Sequence, residues 1–429
     1  MAARHEQAER TNEKGFGTVI AALDVGTSKV TCFIAERDSQ GELDIIGIGQ
    51  DTAEGLKAGT VIDMAAAVTS IGTAIRRAET MADKRVHNVF VSVSGGAPQS
   101  TYADISLDVS GRQIGNTDIQ HAFETANAGN AVEGREIIHA ISTAYDLDGS
   151  RGIRNPKGMY GNQLRVQLHM VGVAHGALRN LLTCISRCDL DLEAPVISAY
   201  ASGLACLVED EKDLGVTLID MGCGGTGLAT FAGGELVWTA TVPLGGAHVT
   251  NDIAHGLTTP IASAEHMKRL YASAIGGPAD NREMIEVPEL GEPELLSARQ
   301  IPRSLLTGIV RPRLEETFEL IRDFIDSSGV ASASARRIVL TGGASQLQGV
   351  GDLASEILEK QVRLARPLPI QGLAESAAGP YYATCAGLLL YAAEHYDEPQ
   401  IRRPQREHPI SQPAGGALGR IGQWLRANF

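Results

Sequence analysis

The amino-acid sequence predicts an α/β protein of two domains, and three observations carry that expectation. The chain has 429 residues, more than one hydrophobic core usually organises. Its most distinctive stretch is Val216-Thr-Leu-Ile-Asp220-Met-Gly222-Cys-Gly224-Gly225-Thr226-Gly227, an apolar, β-prone run that feeds into an aspartate and a cluster of glycines. The same grammar stands roughly 200 residues earlier in Val19-Ile-Ala-Ala-Leu-Asp24-Val-Gly26-Thr27-Ser28-Lys29-Val-Thr-Cys-Phe-Ile34, and such a repeat points to a duplicated architecture.

Glycines at a strand end let backbone N–H groups close around a phosphate with no Cβ in the way. An adjacent aspartate can hold Mg2+, usually through water. Asp24 and Asp220 are therefore the candidate metal residues. Each half offers one phosphate loop, with a nucleotide lying between them. The run Gly222-Cys-Gly224-Gly-Thr-Gly227 also fits the dinucleotide fingerprint, which requires a helix straight after the glycines. The next residues, Leu228-Ala-Thr-Phe-Ala-Gly233-Gly234-Glu-Leu-Val-Trp-Thr239, read as strand, turn and strand, so a strand–loop–strand clamp is expected instead. Taken alone, the stretch reads equally well as an ordinary glycine-rich hairpin. A third loop, Thr341-Gly342-Gly343, comes after the apolar Ile338-Val339-Leu340 and offers bare backbone to an adenine and ribose. Three such loops with two repeated aspartates favour a nucleotide cleft.

The net charge of -14 and the pI near 5.3 exclude nucleic acid as the main ligand, because a phosphate backbone needs a basic face. Six cysteines (Cys32, Cys184, Cys188, Cys206, Cys223 and Cys385) form no CxxC pair. They read as reduced thiols of a cytoplasmic protein rather than as zinc ligands. Residues 1–14 are polar and charged, which predicts a disordered tail rather than a signal peptide. No stretch is apolar for the length of a bilayer crossing.

In chain order, Leu43–Ile48 continues the first hairpin as a further strand. Ala65–Ala82 is a helix, with Ala67, Ile71, Ala74, Ile75 and Ala78 on one face. Val86–Val93 is a strand. A different texture then begins: a strand at Tyr102–Val109, a helix at Asp118–Ala128, a strand at Glu136–Ile141 and a loop at Gly152–Gly161. This reads as a small inserted α+β subdomain. Leu164–Val173 is a strand and Gly176–Asp189 a helix. Ala194–Val208 is expected to be an alanine-rich helix after Pro195. Beyond the glycine hairpin, Pro243-Leu244-Gly245-Gly246 leads to helices at Val249–His255 and, longer, at Ser263–Ala274. Glu265 and Lys268 share a face of the latter, which by spacing alone describes an exposed ion pair. Gly276–Glu294 is loop or edge strand. Arg299–Ser327 is a long helix broken near Pro312, 336–343 a strand, and Pro380–Ala393 a final helix.

Residues 397–413 carry Pro399, Pro404, Pro409 and Pro413 among charges and read as an extended linker. The segment 414–429 has a different character. On a helical projection Leu418, Ile421, Trp424, Leu425 and Phe429 fall on one arc, with Arg420, Gln423 and Arg426 opposite. A helix docked on the protein's own core is one reading. The detaching linker, and Trp and Phe flanked by Arg, favour an amphipathic helix that lies on a membrane. Arg402, Arg403 and Arg406 add attraction to anionic lipid.

Several motifs together resemble one family. The three loops are similar to the phosphate-1, phosphate-2 and adenosine motifs of the actin/Hsp70/sugar-kinase superfamily. Further stretches narrow the resemblance to the FtsA family of bacterial cell-division proteins: Leu23-Asp-Val-Gly-Thr-Ser-Lys29, Arg135-Glu-Ile-Ile-His139, Gly152-Ile-Arg-Asn-Pro-Lys-Gly-Met159, Leu244-Gly-Gly246, Ala264-Glu265-His-Met-Lys268, Val339-Leu-Thr-Gly-Gly-Ala344 and Pro380-Tyr-Tyr-Ala-Thr384. The resemblance covers about Gly17–Ala393 and the extreme C-terminus. The region after Val86 matches the family's own inserted subdomain, 1C, which actin and MreB lack.

The resemblance implies a two-domain actin-like ATPase fold. Subdomain 1A is 15–84, completed by 168–198 and 378–396; the inserted 1C is 85–167; 2A is 199–246, completed by 316–377; 2B is 247–315. It implies ATP and Mg2+ in the cleft, Asp24 and Asp220 near the metal, Gly245 and Gly246 among the nucleotide-binding residues, and Glu265 and Lys268 at the nucleoside. It also implies that Arg303 and Arg311, on a 2B helix, contact the C-terminal tail of the tubulin-like FtsZ. The expected protein polymerises and ties FtsZ filaments to the inner face of the cytoplasmic membrane. It also recruits later division proteins. One departure bears on turnover: the family places Thr after Gly-Gly or Gly-Ala, whereas here position 225 is Gly and the hydroxyl arrives at Thr226. With no clear general base in sequence, binding with weak hydrolysis at most is expected. The alternatives are a PilM-like adaptor of pilus assembly, which is not expected to end in an amphipathic helix, and a small-molecule kinase, which needs an acceptor-facing carboxylate after the phosphate loops.

Overall fold

In the computed structural model, which describes residues 17–130, 132–291, 298–330 and 337–395, the two glycine hairpins head two halves of identical topology. In the first half, β1 (Thr18–Val25), β2 (Lys29–Arg37) and β3 (Leu43–Thr52) form an antiparallel meander. A two-residue hairpin, β4 (Leu56–Lys57) and β5 (Thr60–Val61), leads to α1 (Met64–Ala82). Asp63 caps α1, its carboxylate accepting from the Ala65 and Ala66 amides. Strand β6 (Asn88–Val93) then lies parallel to β1.

The chain next leaves this sheet. β7 (Gln99–Asp108), α2 (Asn116–Gly129), β8 (Arg135–Leu147), β9 (Ser150–Ile153) and β10 (Gln163–Ala174) build a separate sheet of order β7-β10-β8-β9 around its own core, which includes Leu164, Val166 and Met170. Two expected bounds differ. Strand β6 belongs to the main sheet, and β10 stays in the inserted sheet to Ala174, so the insertion occupies 99–174 rather than 85–167. α3 (His175–Ser186) and β11 (Asp191–Ile197) complete the first half, β11 pairing parallel with β6.

Helices α4 (Ser198–Cys206) and α5 (Glu209–Leu214) lead into the second half. There β12 (Val216–Met221), β13 (Thr226–Ala232) and β14 (Glu235–Val242) repeat the meander. Next come helices α6 (Gly246–Leu257) and α7 (Ile261–Tyr271), the ribbon of β15 (Met284–Pro288) and β16 (Ala298–Pro302), and α8 (Arg303–Ser327). Strand β17 (Arg337–Thr341), α9 (Val350–Leu358) and β18 (Gln361–Leu364) close the sheet, and α10 (Ala383–His395) packs back on the first half. The sheet orders β3-β2-β1-β6-β11 and β14-β13-β12-β17-β18 correspond strand for strand. In each, two parallel strands continue the meander from its first strand.

Two prolines mislead a reading of the sequence. Pro195 lies within β11, not before a helix, and the helix begins only at Ser198. β11 is the outer strand of its sheet, where a missing N–H costs no ladder bond on the open side. Pro312 lies inside α8, which runs unbroken through 25 residues. A proline ring presses on the carbonyl four residues earlier. Here that residue is Gly308, and, its own helix backbone aside, nothing among the described residues stands within 4 Å of where its Cβ would be, so this turn has room to adjust. The helix also starts at Arg303, not Arg299, because 298–302 is strand. α6 and α7 are nearly equal in length, against the expectation of a longer second helix.

The halves meet across α4 and α10. A Cβ on Gly387 would overlap the Ala201 carbonyl, so these helices cross at backbone contact. The inserted sheet also reaches the second half. Ser100 Oγ donates to the Thr239 carbonyl at 3.1 Å and accepts from its amide at 3.0 Å. Tyr102 donates to the Val237 carbonyl at 3.0 Å, and His169 Nδ1 lies 2.9 Å from the Leu236 carbonyl. These contacts cover the outer edge of β14, and burial pushes His169 down to about 4. The expected tail at 1–14, linker at 397–413 and amphipathic helix at 414–429 lie outside the described residues.

Candidate functional site

Asp24 and Asp220 occupy matching positions, one residue before the ends of β1 and β12. Each carboxylate is held by hydroxyls. Ser92 Oγ, on β6, donates to Asp24 Oδ1 at 2.7 Å and accepts from the Val25 amide at 3.0 Å. Ser202 Oγ donates to Asp220 Oδ2 at 2.7 Å, and Thr384 Oγ1 to the same oxygen at 3.2 Å. Burial raises both acids, Asp220 to about 6, with the neighbouring Asp24 charge adding to the effect. Lys29, close enough to feel both charges, has its ammonium 3.8 Å from the centre of the Tyr382 ring and 5.1 Å from that of Tyr381. Burial lowers the Lys29 pKa, opposed chiefly by Asp24.

The two phosphate loops face each other. Gly26 N–H bonds the Lys29 carbonyl at 3.0 Å and tightens the first loop, and Thr27 Oγ1 accepts from the Gly59 amide at 3.0 Å. A Cβ on Gly224 would lie 2.5 Å from Thr27 Oγ1, so only glycine permits this approach of the second loop to the first. The Cys223 thiol bonds Ser28 across the same gap. Gly222 N–H bonds the Gly225 carbonyl at 3.0 Å. Gly245 and Gly246 back this loop: Gly246 donates to the Gly222 carbonyl at 2.9 Å, and a Cβ on Gly245 would crowd the Cys223 and Gly222 carbonyls.

The third loop joins them. Gly342, at φ 86°, presses so closely on Asp220 that a Cβ would overlap Oδ1. A Cβ on Gly343 would meet the Tyr381 ring at 2.5 Å. On the far wall, Lys268 Nζ bonds Glu265 at 2.7 Å, Thr250 Oγ1 at 2.9 Å and the Gly246 carbonyl at 3.0 Å. The pair is thus part of the site's framework, not an isolated ion pair on an outer helix face. Every glycine, acid and lysine singled out in sequence around the expected nucleotide converges on one region. A cavity of about 520 Å³ lined by residues such as Gly72, Arg76, His87 and Cys188 lies at the opposite end of β6 and involves none of the loops.

Two expectations need correction, at Thr226 and at Arg303. Thr226 is fully buried at the start of β13 and donates to the Leu244 carbonyl at 2.7 Å, so its hydroxyl is committed to backbone and does not replace the one absent at Gly225. Arg303 is only 17% exposed and is spent internally, on the Tyr271 carbonyl at 2.8 Å, Gln348 at 2.7 Å and Glu283 at 3.1 Å. It fastens the start of α8 rather than offering a charge to a partner. Arg311 is 35% exposed but is paired with Glu315 at 2.7 Å and Glu356 at 3.4 Å. Sequence reasoning missed Ser92 and Ser202 altogether. Tyr381 and Thr384 stood in a quoted motif without a role.

Bare backbone at three loops, two carboxylates and a lysine suit a nucleotide phosphate. Among the described residues no group of three or more His, Cys, Asp or Glu could hold a metal. A two-carboxylate set matches Mg2+, which retains water and takes further oxygens from phosphate. The strand at β13, directly after the loop, rules out the dinucleotide reading.

Two topologically repeated halves with acidic loops facing each other define an actin-like fold, into which a further α/β subdomain is inserted. Solved structures share the fold at low identity. The PilM–PilN type IV pilus biogenesis complex matches with TM-score 0.61 and 17% identity, over 87% of this chain and 98% of that one. MreB5 of Spiroplasma citri bound to ADP matches with TM-score 0.53 and 13% identity, over 88% and 97%. The chain belongs to the FtsA family. It is 40% identical to Cell division protein FtsA of Agrobacterium fabrum over 96% of this chain and 95% of that protein. It is 35% identical to that of Pseudomonas aeruginosa and 30% to that of Escherichia coli, again over 96% of this chain, and 99% and 98% of theirs. The model for Cell division protein FtsA matches residues 217–387, and that for the SHS2 domain inserted in FTSA matches 95–172, which overlaps nearly all of the inserted sheet.

Proposed function

We propose that this chain binds Mg-ATP between its halves and assembles into actin-like filaments on the cytoplasmic face of the inner membrane. There it anchors FtsZ filaments and recruits later division proteins. The observation that carries this reading is the near full-length relationship to proteins named Cell division protein FtsA, spanning the loops, both halves and the insertion. The cleft chemistry supports ATP, and a structural neighbour of the same fold is bound to ADP. Slow hydrolysis is in keeping with Gly225 and with the engaged hydroxyl of Thr226.

Membrane attachment rests on Leu418, Ile421, Trp424, Leu425 and Phe429. The FtsZ tail would dock on 247–315, with Arg311 the more accessible of the two arginines. The test is co-sedimentation with anionic liposomes, with and without ATP and an FtsZ tail peptide. Pelleting of the intact chain, and recruitment of the peptide with it, is expected. A chain that stays in the supernatant under all conditions contradicts the anchor.

A further inference from the structure

The hydroxyls that hold Asp220 come from the two helices that cross between the halves. Ser202 is on α4 and Thr384 on α10. Both reach Asp220 Oδ2, and they stand 3.0 Å from each other. Ser202 is fully buried and Thr384 nearly so. One turn beyond Thr384 is Gly387, whose Cα lies against the Ala201 carbonyl, beside Ser202. The triangle of Asp220, Ser202 and Thr384 therefore sits beside the close backbone approach of Gly387 to Ala201. Asp220 Oδ1, beside Gly342, receives neither hydroxyl.

We infer that Ser202 and Thr384 are positioning residues that aim Asp220 at the Mg2+ of the bound nucleotide and couple metal occupancy to the packing of α4 against α10. This rests on the nucleotide reading above. A cation that draws on the carboxylate changes its hold on both hydroxyls. Since these belong to different helices, the crossing responds to the metal. By reciprocity, the packing of the crossing sets metal affinity. With one hydroxyl gone, Asp220 loses its tie to one helix.

The experiment compares ATP affinity with Mg2+ and with EDTA, and amide hydrogen exchange over α10, in the full chain. Thr384→Val keeps the shape and removes the hydroxyl; Thr384→Ser keeps the hydroxyl; Ser202→Ala removes the other. The Mg2+-dependent gain in affinity is expected to shrink about tenfold in Thr384→Val and Ser202→Ala, the scale of outer-shell partners of metal ligands. Metal-free affinity should be unchanged, and Thr384→Ser should behave as the parent. Exchange over 383–395 should respond to Mg-ATP in the parent and not in Thr384→Val. A parent that binds ATP with Mg2+ dependence, beside a Thr384→Val variant with the same dependence and exchange response, overturns this inference alone. A parent that binds no nucleotide removes the nucleotide reading itself.

Discussion

Asp220 is a stability liability in the nucleotide-free fold. Its carboxyl titrates near 6 in the fold against an ordinary 3.8, because burial disfavours the charge. Between about pH 4 and 6 the folded chain holds a proton that the unfolded chain has released. This group's contribution is therefore lost as pH rises through that window. Asp220→Asn should flatten that loss and raise the thermal midpoint of nucleotide-free protein at pH 7, while weakening Mg-ATP binding; thermal melts across pH check the first effect. The acids and glycines were legible because strand–Asp–Gly is a local pattern. Ser92 and Thr384 were not, since they meet their acids across 68 and 164 positions of chain. Arg303 was misread for the same reason: its partners Glu283 and Gln348 lie 20 and 45 positions away. Arg303→Glu should thus lower the thermal midpoint strongly, whereas Arg311→Glu, at a partly exposed side chain, should lower it less, by the loss of its pairs with Glu315 and Glu356 and the like charges it sets beside them. Equal melting of the two variants would contradict this division.

Helices and strands with a strong period were read from sequence to within a few residues, as at α1, β2 and β12. Elements whose identity depends on neighbours were not. Pro195 is tolerated in β11 only because that strand is an edge, and Pro312 in α8 beside the room at Gly308. Short pieces such as α5 and β18 carry too few residues to show a period. The α4–α10 crossing gives a sharp expectation. Gly387→Ala places a methyl on the Ala201 carbonyl and should cost about 1–3 kcal/mol or more, as overpacking does. Chemical denaturation measures it, and an unchanged midpoint would mean the helices are not in backbone contact. The insertion's contact with β14 has its own pH signature. His169 is buried with its pKa lowered to about 4, so the stability it supports is present above its ordinary value of 6.5 and is lost as pH falls towards 4. His169→Gln should reduce that acid loss. It runs opposite to the Asp220 effect over the same range, so the two variants must be measured separately.

Duplication is what the whole chain was most readable for, since two hairpins imply two sheets and a shared cleft. The inserted sheet was recognised by its change of texture, but its bounds were not, because β6 is a buried strand of the main sheet and β10 is a single strand that runs on in the inserted sheet from Gln163 to Ala174. The C-terminal segment gives an expectation that depends on assembly. Five apolar side chains at roughly 1.5–3 kcal/mol each when fully buried, less the cost of partial insertion and helix formation, hold a single copy only moderately. Arginines add about 1 kcal/mol each on anionic lipid. A filament presenting many copies stays bound by avidity. Trp424→Glu should release the protein from anionic liposomes and leave ATP affinity intact.

Whether the facing loops form one nucleotide site is decided by calorimetric titration of Mg-ATP into the full chain and into Asp24→Ala and Asp220→Ala. The parent should bind one nucleotide. Each single variant, though it alters only one half, should lose about tenfold or more in affinity, roughly 1.4 kcal/mol. Near-parental affinity in both variants would contradict a site shared between the two halves.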